Sequence, residues 1–125
     1  MQRQACRRPL VLIVEDEVLL RLTAVLMMEE AGFDAVEAGS ALEAISMLEN
    51  RSDISVVFTD VQMPGSIDGI QLAHLISVRW PTIKIIAASG RLRLRDDDLP
   101  AGGRALHKPY GVSDLIGILK DWNVP

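Results

Sequence analysis

Two short runs constrain this chain more than anything else in it, Leu10 to Val14 and Val56 to Asp60. The first is continuously apolar, as a parallel strand must be when helices cover both of its faces. The second is β-branched and aromatic and too short for a helix, which again predicts a buried strand. Both runs end in carboxylates: Glu15, Asp16 and Glu17 follow the first, and Asp60 closes the second. A bare charge inside a core strand is costly without a partner. These acids therefore belong at strand ends, where solvent or a ligand can meet them. The Pro64-Gly65 pair just beyond Asp60 forces a turn. Asp commonly caps a turn with no further role, so Asp60 by itself decides nothing.

Around these strands the chain alternates in period. Glu17 to Ala31 reads as a helix on which Val18, Leu22, Val25 and Leu26 form one stripe, and Gly32 stops it. Phe33 to Glu37 is a second strand. Ser40-Ala41-Leu42-Glu43 is a capping box, with Ala41, Ala44, Ile45 and Leu48 behind it. Asp68-Gly69 opens a third helix with Leu72, Leu75 and Ile76 inside, and Trp80-Pro81 ends it. Ile83 to Ala88 and Arg104 to His107 are the last strands, and Leu115, Ile118, Leu119 and Trp122 mark a closing helix. Strands and helices interleaved in this way predict an α/β fold, a doubly wound parallel sheet with right-handed crossovers.

At 125 residues and 49% hydrophobic, the chain suits one domain, residues 10–125, behind a polar tail, residues 1–9. A net charge of −4 argues against nucleic acid as a partner. The lone Cys6 excludes an internal disulfide and fits a reducing compartment. The apolar run after Pro9 is too short for a signal peptide, and no other run approaches membrane-spanning length. The expectation is a cytoplasmic protein without a membrane anchor.

Doubly wound sheets bind ligands at the carboxyl ends of their strands. Glu15 and Asp16, Asp60, Ser89 and Lys108 are all delivered to that edge, from four different strands. Clustered carboxylates repel one another unless a cation neutralises them, and oxygen ligands suit a hard ion such as Mg²⁺. A metal and a lysine together would offset the charge of an incoming phosphoryl group. A carboxylate can itself attack phosphorus.

With these residues in place the chain resembles the receiver domain of two-component response regulators, from about Leu10 onward. The matching pieces are the acidic pair after the first strand, Asp60 with Met63-Pro64-Gly65, Ser89-Gly90, and Lys108-Pro109. The resemblance implies a flavodoxin-like sheet of order 2-1-3-4-5. It implies that Asp60 is the phospho-acceptor. Asp16 and Asp60 would bind Mg²⁺ with the Gln62 backbone carbonyl, and Glu15 would help through water. Ser89 stands at the switch position, Lys108 is the phosphate-binding lysine, and Gln62 and Arg91 would modulate the site. The partners implied are a histidine kinase or histidine phosphotransfer protein and an output protein, with the domain itself a monomer or weak homodimer.

Some residues depart from the family pattern. The Gly65–Gly69 loop holds one residue more than its commonest form, and the aromatic-switch position is Ala105. Tyr110 is expected to pack against the last helix. Between Ser89 and Lys108 the breakers Pro100, Gly102 and Gly103 favour a solvated loop over a full helix, with Asp96 to Asp98 opening a turn. His74 and His107 read as surface residues with no partner at metal-ligand spacing. A Mg²⁺-dependent phosphohydrolase would need a second Asp where Gln62 stands. An FMN protein would not place an acidic loop at the FMN phosphate. The reading is a stand-alone receiver, with a receiver segment of a hybrid histidine kinase as the alternative.

Overall fold

The computed structural model of the chain describes residues 8–62, 68–90 and 94–122. Five strands, β1 (Leu10–Val14), β2 (Asp34–Ala38), β3 (Val56–Asp60), β4 (Lys84–Ser89) and β5 (Arg104–His107), form one sheet. Every pairing is parallel and the order is β2-β1-β3-β4-β5. The helices are α1 (Val18–Ala31), α2 (Ala41–Asn50), α3 (Gly69–Arg79) and α4 (Val112–Asp121), with a 3-10 turn at Asp96–Asp98. The doubly wound α/β fold and its strand order are as the sequence led us to expect. Among the described residues, no helix is long and apolar enough to cross a membrane.

The period of two along each strand divides the buried side chains into two cores. Leu12, Val14, Val57, Ile85 and Ala87 pack with Ala44 and Leu48 of α2 and Leu72, Ala73 and Ile76 of α3. Val11, Ile13, Val56, Phe58 and Ile86 pack on the other face with Ala24 and Met28 of α1 and Leu115 and Ile118 of α4. A sheet covered on both faces needs apolar residues at every position of its inner strands, which is why β1 shows no alternation.

Two strands start one residue later than the sequence reading placed them. The Phe33 N–H bonds the Met28 carbonyl at 2.9 Å, so Phe33 closes the end of α1 before β2 begins. The Ile83 N–H likewise bonds the Trp80 carbonyl at 3.0 Å.

The inner face of α1 requires a larger correction. Ala24, Met28 and Ala31 are its buried residues. Val18, Leu22 and Leu26, expected as its core stripe, are 67%, 49% and 59% exposed, and Val25 is only half-buried. The helix is apolar on nearly every side, so periodicity alone finds two stripes and cannot choose between them. Its rotation is held instead by Arg21, which donates to the Glu15 carbonyl at 2.9 Å and to Glu37 Oε1 at 3.1 Å. Gly32, at φ 117°, then ends the helix in a left-handed turn that a side chain would resist.

The stretch after β4 is less solvated than a loop of charges suggests. Leu99 is buried and Leu94 packs on the same core. Asp96 Oδ1 accepts the Ala105 N–H at 2.7 Å, and His74 Nε2 lies 3.1 Å from the Asp98 carbonyl. His74 and His107 are exposed. The expectations for the tail through Arg7 including Cys6, for Met63-Pro64-Gly65 and the enlarged loop, for Arg91 and for residues 123–125 lie outside the described residues.

Helix α3 is capped by a reciprocal pair, with the Gln71 N–H bonding Asp68 Oδ1 at 2.8 Å and the Asp68 N–H bonding Gln71 Oε1 at 3.0 Å. The next residue, Gly69, presses on the end of β3: a Cβ there would sit 2.2 Å from the Asp60 carbonyl oxygen and 2.7 Å from the Val61 Cα. Backbone on both sides leaves no flexible side chain to yield. Gly69→Ala is therefore expected to cost about 2 kcal/mol of stability, the usual scale of overpacking. Urea denaturation measures this, and an unchanged midpoint would show that α3 does not rest on β3.

Candidate functional site

The register of the sheet brings its acidic ends together. Val14 pairs with Thr59, so Glu15 continues alongside Asp60, and Asp60 pairs with Ala88. Ser89 pairs with His107, and the Lys108 N–H then bonds the Ser89 carbonyl at 2.9 Å. Strand β1 is also where the order reverses, between β2 and β3. Ligand crevices of open α/β sheets lie at such reversals.

Asp60 is only 6% exposed and has two defined partners. Lys108 Nζ lies 2.9 Å from its Oδ2, and the Gln62 N–H bonds its Oδ1 at 3.0 Å. The lysine, just beyond β5, reaches the carboxylate at the end of β3 across β4. Gly90 lies beside the methylenes of Lys108, where an added Cβ would stand 3.7 Å from Cδ.

Glu15 is buried beside this pair and Asp16 is exposed next to it. Glu15 Oε2 accepts the Glu17 N–H at 3.1 Å. Burial pushes the Glu15 carboxyl up from 4.5 to about 7, and the neighbouring Asp60 and Asp16 carboxylates add to the effect against the Glu17 N–H. Among the described residues, no three acidic, histidine or cysteine side chains are arranged as a ready metal cluster. The Asp60 oxygens face Lys108 and Gln62 instead.

Ser89 is fully buried at the end of β4. Ala105 lies on β5 and carries no ring. Tyr110 packs its ring on Phe58, with centroids 5.6 Å apart and planes tilted by 54°, within the same core as Leu115 and Ile118 of α4. Burial, then the negative charges of Glu15 and Asp60, push its phenol up to about 12, so it stays a neutral hydroxyl. A cavity of about 420 Å³ opens beside the carboxylates, lined by Leu20, Thr23, Met27, Phe58, Lys108 and Tyr110 among others.

Asp60, Glu15, Ser89 and Lys108 thus share one strand edge, with Gln62 entering through its N–H and Asp16 at the rim; Arg91 lies outside the described residues. Sequence reasoning named Gly69 without its contact with β3 and passed over Arg21. The first is legible only as a glycine at the start of a helix, and the second as an arginine one turn after the acidic run.

Comparison with known proteins agrees with this fold. The family model of the response regulator receiver domain matches residues 11–120. The transcriptional regulatory protein PdtaR of Mycobacterium tuberculosis is 39% identical over 110 residues, covering 85% of this chain and 52% of that protein. The sensor kinase CckA of Brucella abortus is 32% identical over 118 residues, covering 89% of this chain and 12% of the kinase. The chain thus spans about half the length of the first relative and a small part of the second. Among solved structures, a response regulator receiver protein from Sinorhizobium medicae superposes with a TM-score of 0.80 at 27% identity, covering 91% of this chain and 93% of that one. One from Pseudomonas putida gives a TM-score of 0.76 at 29% identity, covering 91% and 97%. The chain belongs to the receiver domain family of two-component response regulators.

Proposed function

We propose that residues 10–125 accept a phosphoryl group on Asp60, in a Mg²⁺-dependent reaction, and pass the signal to a separate partner. The observation that carries this reading is the Lys108 ammonium, 2.9 Å from a buried Asp60 carboxylate that stands beside Glu15. Receiver domains as a family act as phospho-acceptors and work with histidine kinases. The donor proposed here is a histidine kinase or a histidine phosphotransfer protein, in the cytoplasm, with neither nucleic acid nor membrane required.

The donor set fits a divalent cation. Glu15 and Asp16 follow one strand end and Asp60 closes the next, with Lys108 bonded to Asp60. Burial first, and then the neighbouring Asp60 and Asp16, raise the Glu15 carboxyl, so a cation would relieve part of that penalty. Asp16, Asp60 and the Gln62 carbonyl would hold Mg²⁺, and Glu15 would support it through water. The ion would neutralise charge on the transferring phosphoryl oxygens.

The chain's own residues supply the rest. An Asp60 carboxylate oxygen forms the new O–P bond as the donor's N–P bond breaks, and the electron pair leaves on the donor imidazole. Lys108, already beside Oδ2, turns to a phosphoryl oxygen as charge builds there. Ser89 gives its hydroxyl to another, and Gln62 and Arg91 modulate the site. A phosphohydrolase reading lacks its acid, since Gln62 occupies that position.

Incubation with acetyl phosphate and Mg²⁺ tests the reading. Intact-mass analysis is expected to find one phosphoryl adduct, labile to hydroxylamine as an acyl phosphate is. A hydroxylamine-resistant adduct, or none, overturns it.

Metal binding tests the division of roles. Mg²⁺ titration followed by NMR is expected to show Asp16→Asn weakening affinity at least about tenfold, far more than Glu15→Gln, because a direct ligand loses charge and geometry together. Equal losses would mean the two roles are misassigned.

A further inference from the structure

We propose that Arg21 is a positioning residue for the cation site: its guanidinium fixes the turn that carries Glu15 and Asp16, and Mg²⁺ affinity depends on it. This role rests on the Mg²⁺-dependent reading above and names the residue that prepares its site. Strand β1 ends at Val14 and α1 begins at Val18, so the acidic turn belongs to neither element. The sheet holds the first residue of that turn only in part. The Glu15 N–H bonds the Ala38 carbonyl at 3.1 Å, and in a continuing ladder the Glu15 carbonyl would take its donor from the residues that follow Ala38. But β2 ends at Ala38, and the Gly39 N–H goes to Glu43 Oε1. Arg21 fills the gap, donating from its guanidinium to the Glu15 carbonyl at 2.9 Å. Its backbone N–H bonds the Glu17 carbonyl at 2.8 Å. Asp16 thus sits between two carbonyls held by the same residue, one through the side chain and one through the backbone.

The guanidinium is itself held in place. Its Nε donates to Glu37 Oε1 on β2 at 3.1 Å, and the Arg21 side chain is only 20% exposed. Gly39 leaves it room, since a Cβ there would stand 3.2 Å from Nη1. A planar fork that serves two fixed acceptors on separate chain segments has no equivalent in a lysine. Contacts of this outer kind aim a metal's ligands, and losing one commonly costs about tenfold or more in affinity. Charge acts in the opposite direction. Arg21 brings a positive charge towards a site that takes a cation, so removing it would tighten Mg²⁺ binding if electrostatics alone decided the outcome. Loss of geometry weakens binding instead, and the sign of the change tells the two apart.

Mg²⁺ titration of the full chain, followed by NMR, tests the role. Arg21→Met keeps a long unbranched side chain and removes the charge, and it is expected to bind Mg²⁺ about tenfold more weakly than wild type. Exchange of the Glu17 N–H in the metal-free protein is expected to quicken at the same time. Combined with Asp16→Asn, the two losses are expected to fall short of multiplying, because a ligand that is no longer aimed has less to lose. Arg79→Met is the control for a broken ion pair. Arg79 bonds Glu49 at 2.8 Å in the last turn of α3, and its replacement is expected to leave Mg²⁺ affinity unchanged. Unchanged or tighter binding by Arg21→Met, losses that multiply in full, or equal weakening by Arg79→Met overturns the role while leaving Mg²⁺ binding itself intact. A wild-type protein that binds no Mg²⁺ overturns the underlying reading together with it. Where circular dichroism shows that the first variant does not fold, Arg21→Lys decides. It keeps the charge and loses the fork, so it is expected to bind at least about threefold more weakly, and wild-type affinity overturns the role.

Discussion

Replacing Asp60 with asparagine is expected to abolish the adduct formed with acetyl phosphate and Mg²⁺. The amide keeps the size of the side chain and still accepts the Gln62 N–H, so the fold has little reason to change. It loses the anionic oxygen that attacks phosphorus. Neither neighbouring acid is placed to substitute. Glu15 is buried, bonded to the Glu17 N–H, and pushed up to about 7, which leaves it partly protonated at neutral pH. Asp16 is exposed at the rim, whereas the Lys108 ammonium is bonded to Asp60. Phosphoryl transfer depends on positioning and charge stabilisation far more than on the intrinsic reactivity of the nucleophile. A carboxylate away from the lysine therefore gains little from being close. Intact-mass comparison of the two proteins under identical labelling measures the effect, and equal labelling would place the acceptor elsewhere.

The elements that could be read from sequence are those where one physical requirement dominates. A run apolar at every position, as in Leu10 to Val14, has few places to go except a covered parallel strand. Acids that directly follow such runs must lie at the sheet edge, so the gathering of Glu15, Asp60, Ser89 and Lys108 followed from topology alone. The rest depended on contacts between distant residues. The rotation of α1 was misread because Val18, Leu22 and Leu26 look as apolar as a core stripe. The small Ala24 and Ala31 and the bonds of Arg21 to Glu15 and Glu37 decide the matter. Gly69 looks like an ordinary residue of a turn, and its closeness to the Asp60 backbone exists only once α3 is seated. The anchoring of the segment after β4 rests on Leu99 and Asp96, one apolar residue and one acid in a stretch rich in charges and helix breakers.

Glu15→Gln is expected to stabilise the metal-free protein at pH 8 by about 3 kcal/mol, and to do nothing of the kind at pH 4. The carboxyl is pushed up from 4.5 to about 7 in the folded chain, chiefly by burial and then by the Asp60 charge. Each unit of pKa difference between folded and unfolded states is worth about 1.4 kcal/mol. Between the two values the folded state holds a proton that the unfolded chain has released, so stability falls as pH rises through that window. Below 4.5 both states are protonated and no penalty exists; above about 7 both are ionised and the penalty is complete. Glutamine keeps an acceptor for the Glu17 N–H but carries no charge at any pH, so the variant lacks this contribution. Carboxylates away from Glu15 titrate alike in both proteins and cancel in the difference, whereas Asp60 and Asp16, which act on Glu15, contribute to it. Urea unfolding of each protein from pH 4 to 8, with chelator present, gives that difference directly. It is expected to grow across the window from 4.5 to about 7 and then level off. Adding Mg²⁺ at pH 8 is expected to recover part of the wild-type deficit, because the cation offsets the same charge. Parallel stability curves for the two proteins would mean that Glu15 is better solvated, or better paired, than its burial beside Asp60 implies.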